Sequence, residues 1–97
     1  MELVIPLKYR NDIENATRLL KSEGCSAVYL FGSLVTGNFR EDSDIDIGVR
    51  GLAPKKFFRM YGKLQFDFEN KIDLVDFDDD ADFYSMLDNL GEVVQVG

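Results

Sequence analysis

The run Ala27-Val28-Tyr29-Leu30-Phe31 is apolar at every position and stops at Gly32-Ser33. A strand with no polar face has to be covered on both sides, so this stretch predicts the middle of whatever sheet the chain forms. A second constraint follows within a few residues. In Asp44-Ile45-Asp46-Ile47-Gly48-Val49 the apolar side chains alternate with others. Ile45, Ile47 and Val49 therefore share one strand face, while Asp44, Asp46 and Gly48 share the other. A Gly-Ser turn leaving a buried strand offers backbone N–H groups and a hydroxyl, which suit a phosphate. Two carboxylates about 7 Å apart along one face, Cα to Cα, suit divalent cations. Bare, such a pair is unfavourable: like charges about 4 Å apart repel by about 4 kcal/mol at an effective dielectric near 20. Taken alone, the Asp44/Asp46 spacing also fits the solvated face of an edge strand. Joined to the Gly32-Ser33 turn, it specifies a place for a metal-bound nucleoside triphosphate.

Composition narrows the chemistry. The 97 residues contain no histidine and one cysteine, Cys25. Ser-His-Asp and Cys-His catalysis are thereby excluded, as are an internal disulfide and a cysteine-based metal site. Catalysis, if present, has to run on carboxylates, hydroxyls, lysines or metals. Cys25 reads as packing. An apolar share of 45% indicates a globular chain, expected to form a single domain over residues 1–97. No apolar stretch approaches a membrane span, and the first residues do not have the pattern of a signal peptide, so a cytoplasmic setting is expected. The net charge of −7 opposes non-specific nucleic-acid binding and suits cations or a basic protein partner.

The remaining elements follow from periodicity. Residues 2–7 fit either a short edge strand, where Pro6 is tolerated, or an irregular lead-in. Asn11 and Glu14 have the spacing of a capping box, predicting a helix start there with Ile13, Ala16, Thr17 and Leu20 as its apolar stripe and Gly24 as its stop. A strand over 26–31, a helical turn over 34–37, a polar loop over 38–43 and the aspartate-bearing strand over 43–49 come next. Gly51 and Pro54 mark a break and a new helix from Lys55 to about Asp67, with Phe57, Met60, Tyr61, Leu64 and Phe68 inward and Lys55, Lys56, Arg59 and Lys63 outward. Lys71–Phe77 reads as a strand in which Asp73 and Asp76 point to opposite faces. Asp78-Asp79-Asp80 reads as the acidic start of a last helix, with Phe83, Met86, Leu87 and Leu90 as its stripe and Gly91 as its end. Residues 93–96 read as a final edge strand. Alternating strands and helices predict an α/β (α+β) fold, a small mixed β-sheet with helices packed against it.

Gly32-Ser33, then Asp44-Ile45-Asp46, with Gly37 and Asp42-Ser43 between, resembles the signature of the DNA polymerase β-like nucleotidyltransferase superfamily. Within it the chain is most similar to the minimal nucleotidyltransferases. The resemblance implies a core of four or five strands and a Mg²⁺-dependent transfer, with two ions, of AMP or another nucleoside monophosphate from a triphosphate such as ATP to a hydroxyl. It also implies site roles: Gly32, Ser33, Gly37 and Ser43 for the nucleotide, Asp44 and Asp46 for the cations, and Asp73 as the third carboxylate. Many relatives carry arginines where this chain has Leu34 and Thr36. Stand-alone relatives are commonly paired with a helical HEPN-family protein, often as antitoxin to a toxin, which makes that partner the expected acceptor. No second domain is expected to recognise an RNA end or an antibiotic. The alternatives are a non-catalytic nucleotide-binding module that neutralises its partner by binding, and a small-molecule, aminoglycoside-like transferase. A homo-oligomer is compatible with either.

Overall fold

A computed structural model describes residues 4–97. In chain order the elements are α1 (Leu7–Ser22), β1 (Ala27–Phe31), α2 (Ser33–Thr36), β2 (Ile45–Arg50), α3 (Pro54–Phe66), β3 (Ile72–Asp76), α4 (Ala81–Leu90) and β4 (Val93–Gln95). The strands form one mixed sheet in the order β3-β2-β1-β4, with β2 and β3 parallel and both other pairings antiparallel. The expected architecture, a small mixed sheet with packed helices, is the one observed. β1 lies between two neighbours and all five of its residues are buried, as its unbroken apolar run requires.

Side-chain alternation divides the core in two. Val28 and Leu30, with Ile45, Ile47 and Val49 of β2 and Ile72 and Leu74 of β3, face α1 and α3 and form the larger cluster with Tyr9, Ile13, Leu20, Met60 and Leu64. Ala27, Tyr29 and Phe31 face the other way and meet Phe77, Phe83, Tyr84 and Leu87. This second layer is aromatic: the Phe77 ring lies 5.6 Å from Tyr29, 5.5 Å from Phe31 and 5.2 Å from Tyr84, centroid to centroid. Gly48 makes room for it, since a Cβ there would run into the Phe77 ring.

Five local expectations need correction, one of them on α3: Tyr61, expected on its inner stripe, is exposed, while Phe57, Met60, Leu64 and Phe68 pack inward. The first helix starts at Leu7 behind Pro6, not at Asn11, which is exposed inside it. Pro6, with φ fixed at −57°, presets the entry. The earlier start also buries Tyr9 fully, which outweighs a surface capping box. Of residues 2–7, positions 2 and 3 lie outside the described residues, 4–6 are irregular and Leu7 is helical. The strand expected over 43–49 begins at Ile45, so Asp44 stands just before it. Asp78-Asp79-Asp80 is a turn ahead of α4: the Asp76 carboxylate accepts the Asp78 and Asp79 N–H groups, and Asp78 accepts from the Gly51 N–H at 2.7 Å. Finally, the inner face of α4 is Phe83, Tyr84 and Leu87, while Met86 and Leu90 are exposed. Tyr84 takes the inward place because Tyr29 and Arg50 lie beneath it, the Arg50 guanidinium 4.3 Å from its ring centroid.

Candidate functional site

β1 ends at Phe31, and the chain turns sharply at Gly32, whose φ of 77° is a conformation that a side chain resists. Close approach adds a second reason for glycine: a Cβ at this position would land on the Asp46 carboxylate. The Gly32 carbonyl accepts from the Val35 and Thr36 N–H groups at 3.0 and 3.1 Å, and the one-turn helix α2 follows. Ser33 is half-buried at its start. Leu34 and Val35 are buried in the core, so the Leu34 side chain is committed to packing, whereas Thr36 is exposed. Gly37 ends the turn with φ 86° and is solvent-facing.

The loop between Gly37 and β2 is tied at two points. Ser43 Oγ accepts from the Arg40 N–H at 2.6 Å, which engages this hydroxyl in shaping the loop. The buried Tyr9 hydroxyl donates to the Arg40 and Glu41 carbonyls at 3.1 and 3.3 Å. No sequence motif assigns Tyr9 a site role. The signal was present, because Tyr9 stands four residues before Ile13 on the same helical stripe, and extending the helix upstream would have included it. Asp12, also overlooked, is buried on α1 and accepts from the backbone N–H and side-chain amide of Asn70, both at 2.9 Å, fixing the entry to β3.

The sheet register places the carboxylates. Asp46 lies opposite Phe31 on one side and opposite Asp73 on the other, so Phe31, Asp46 and Asp73 form a row across the sheet on the face bearing α4. Asp76 pairs with Val49 and so lies on the α1/α3 face, as the odd spacing predicted. Burial pushes the Asp46 carboxyl up to about 6, with the Asp73 and then the Asp44 carboxylates adding to the effect. Such an elevation marks a carboxylate whose charge nothing nearby neutralises. Asp44 leans instead towards Lys71, 3.8 Å away and largely exposed. Accordingly, among the described residues no three His, Cys, Asp or Glu side chains form a ready-made metal cluster. The donor set still fits a divalent cation: hard oxygen ligands, an uncompensated half-buried charge at Asp46, and a partner carboxylate opposite it in register. Gly32, Ser33, Asp44, Asp46 and Asp73 are thus brought together, while Gly37 and Ser43 belong to the loop beside them.

Comparison with known proteins adds three findings. A protein-family model described as "Polymerase beta, Nucleotidyltransferase" matches residues 14–94. Curated proteins give no match. Among solved structures, the chain is similar to a chain of a toxin–antitoxin complex determined with AMP-PNP, at 27% identity and TM-score 0.62, covering 88% of this chain and 69% of that one. It is also similar to chains from two MntA–HpeT toxin–antitoxin mutants. In one, with 25% identity and TM-score 0.60 over 88% of this chain and 69% of that one, two aspartates two positions apart are replaced by glutamate. The other is a tyrosine-to-alanine mutant, with 26% identity and TM-score 0.61 over 91% of this chain and 71% of that one.

Proposed function

Because the chain belongs to the polymerase β nucleotidyltransferase family, we propose that it transfers AMP from ATP, with Mg²⁺, to a hydroxyl on a partner protein and releases pyrophosphate. The observation that carries this reading is the row in which Asp46 faces Asp73 across parallel strands while the Gly32 turn closes over Asp46. Asp44, Asp46 and Asp73 would hold two divalent cations. Cations held there would supply charge neutralisation of the phosphates and polarisation of the reacting phosphoryl group.

The chain's own groups do the rest. Gly32 lets the backbone approach the triphosphate without a side chain in the way, and the Ser33 hydroxyl bonds its terminal phosphates. Gly37 and Ser43 shape the loop over the nucleotide. Asp73 orients the acceptor hydroxyl and takes its proton as the oxygen attacks the α-phosphorus. The bond from that phosphorus to the bridging oxygen breaks, and pyrophosphate leaves. Phe31 and the aromatic layer behind it exclude water from one side of the row.

The related toxin–antitoxin complexes support a toxin as the partner class. One was determined with AMP-PNP, and another alters an aspartate pair with the spacing of Asp44 and Asp46. We assign this chain the antitoxin role, with a helical HEPN-type toxin as acceptor. A second reading is favoured by the burial of Leu34, which puts a core side chain where many relatives have an arginine. In that reading the protein binds nucleotide and silences its partner by docking alone. Co-expression of the partner with wild type and with Asp44→Asn/Asp46→Asn, read by intact mass, decides between them. Transfer predicts the mass of AMP on the partner with wild type only; an unmodified partner, bound and silenced by both, overturns it.

A further inference from the structure

β3 is an outer strand of the sheet, and its free side carries unpaired backbone groups. The Ile45 N–H donates to the Lys71 carbonyl at 2.8 Å and the Phe77 N–H to the Val49 carbonyl at 2.9 Å. In a parallel ladder this parity turns residues 71, 73, 75 and 77 towards β2 and residues 72, 74 and 76 away from it. Two of the outward carbonyls are occupied: that of Ile72 by the Gln65 side-chain amide, and that of Asp76 by the Asp80 N–H at 3.0 Å. Among the described residues, the Leu74 N–H, the Leu74 carbonyl and the Asp76 N–H have no partner. An edge left in this state is a template for another strand.

Beside these groups lies a cleft of about 440 Å³, lined by Pro54, Phe57 and Phe58 of α3, by Leu74 and Val75, and by acids of the β3–α4 turn. Phe58, which lines the cleft, is 82% exposed, a large ring held in water. Lys55, Arg59 and Lys63 lie on the exposed face of α3, and Phe58 interrupts that basic face. Asp79 and Asp80 also line the cleft and form no ion pair among the described residues. The Asp76 carboxylate is already engaged by the turn's own N–H groups.

We propose that the free edge of β3 docks an extended, basic segment of the acceptor protein, added to the sheet as a fifth strand. The Leu74 N–H and carbonyl bond the segment's backbone, an apolar side chain of the segment enters the cleft against Phe57 and Phe58, and a lysine or arginine meets Asp79 and Asp80. An extended occupant is chosen because unpaired main-chain groups require main-chain partners. A basic one is chosen because the cleft's charged rim is acidic and the whole chain carries −7. The position has a chemical consequence. The row Phe31, Asp46, Asp73 continues into the added strand, whose residue next to Asp73 lies about 4.8 Å away with its side chain on the carboxylate face. A hydroxyl residue at that point is delivered to the transfer site.

Calling the segment the acceptor's rests on the transferase reading; the docking itself does not, and its test contains neither nucleotide nor metal. The probe is a short acetylated peptide alternating lysine and valine around a central tyrosine, with a glutamate-for-lysine version and a backbone N-methylated version as controls. The lysine peptide should bind, slow the amide exchange of Leu74 and Asp76 by about tenfold or more, and lose at least tenfold in affinity in Phe58→Glu and in Asp79→Lys/Asp80→Lys. Phe58→Leu should retain binding, and circular dichroism should show all variants folded. The glutamate and N-methylated peptides should not bind. The proposal is overturned by absence of binding, by binding that leaves the two amides unprotected, or by binding unchanged in both surface variants. It is equally overturned if the amides are already protected in a peptide-free dimer, which would assign the edge to a second copy. Docking without any transfer of AMP would count against the transferase reading alone.

Discussion

Replacing Asp46 with asparagine should stabilise the metal-free protein at neutral pH. The half-buried Asp46 carboxyl rises from an ordinary 3.8 to about 6 in the folded chain. Between those values the folded protein holds a proton that the unfolded chain has released, so stability falls as pH rises through the window, and the loss is complete above about pH 7. A shift of about two units corresponds to about 3 kcal/mol at about 1.36 kcal/mol per unit. Half-exposure to solvent screens the interaction, and halving the figure leaves about 1.5 kcal/mol. Asparagine keeps the shape without the charge and should recover that amount, raising Tm by about 6–12 °C in a domain of this size. Urea unfolding in EDTA at pH 8 measures the gap, which should shrink to about a third at pH 4.5, where the wild-type carboxyl is largely protonated. With Mg²⁺ at ten times its Kd, wild type alone should gain about 1.4 kcal/mol, nearly closing the gap at pH 8. An asparagine variant no more stable than wild type in EDTA at pH 8, or a gap independent of pH, would refute the reasoning.

Asp73→Asn should lower AMP transfer by about 10²–10⁴-fold while ATP affinity changes little, whereas Asp76→Asn, on the opposite sheet face, should leave transfer at the wild-type rate; a labelled-ATP assay compares them, and an inactive Asp76 variant would contradict the register. Lys71→Met removes the cation that competes for Asp44 and should tighten Mn²⁺ binding by up to about fivefold at low salt, less at high salt, because an exposed pair is worth at most about 1 kcal/mol. Calorimetry showing weaker Mn²⁺ binding in that variant would contradict the competition. Gly32→Ala forces a side chain into a positive-φ turn and against Asp46, and should destabilise the fold by about 1–3 kcal/mol and weaken ATP binding; unfolding midpoints together with ATP titration check it.

Most of the sheet was legible because its signals are local. The apolar run 27–31 identified the central strand, the isoleucine alternation identified β2, and the odd spacing of Asp73 and Asp76 assigned their faces without any partner strand in view. What the sequence did not disclose depends on contacts distant in the chain. The start of α1 was hidden because Asn11 and Glu14 form a good local cap, while the reward for starting earlier, Tyr9 under the 38–43 loop, comes from residues 31 and 32 positions away. Met86 and Leu90 fit a helical stripe, but Tyr29 and Arg50 on other strands decide which side of α4 turns inward. Within the candidate site, the aspartate row was readable from spacing. The lean of Asp44 towards Lys71 was not, since nothing in the sequence sets a side chain's direction at a strand end.

The ring of Phe77 resting on Gly48 has a consequence for how this chain can vary. Neither position changes without cost on its own. A methyl group at 48 collides with the ring, and shrinking the ring alone opens a void beside Tyr29, Phe31 and Tyr84. Together, Gly48→Ala and Phe77→Leu should largely offset each other, a non-additive pair whose coupling a double-mutant cycle would read directly. The order of the two steps also matters: the smaller side chain at 77 must come first, because a void is survivable at a few kcal/mol whereas a Cβ overlapping an aromatic ring pushes on β2 itself. Since Asp46 lies two residues earlier on that strand, a lineage that took the steps in the other order would pass through a chain whose Asp46 is pushed away from Asp73.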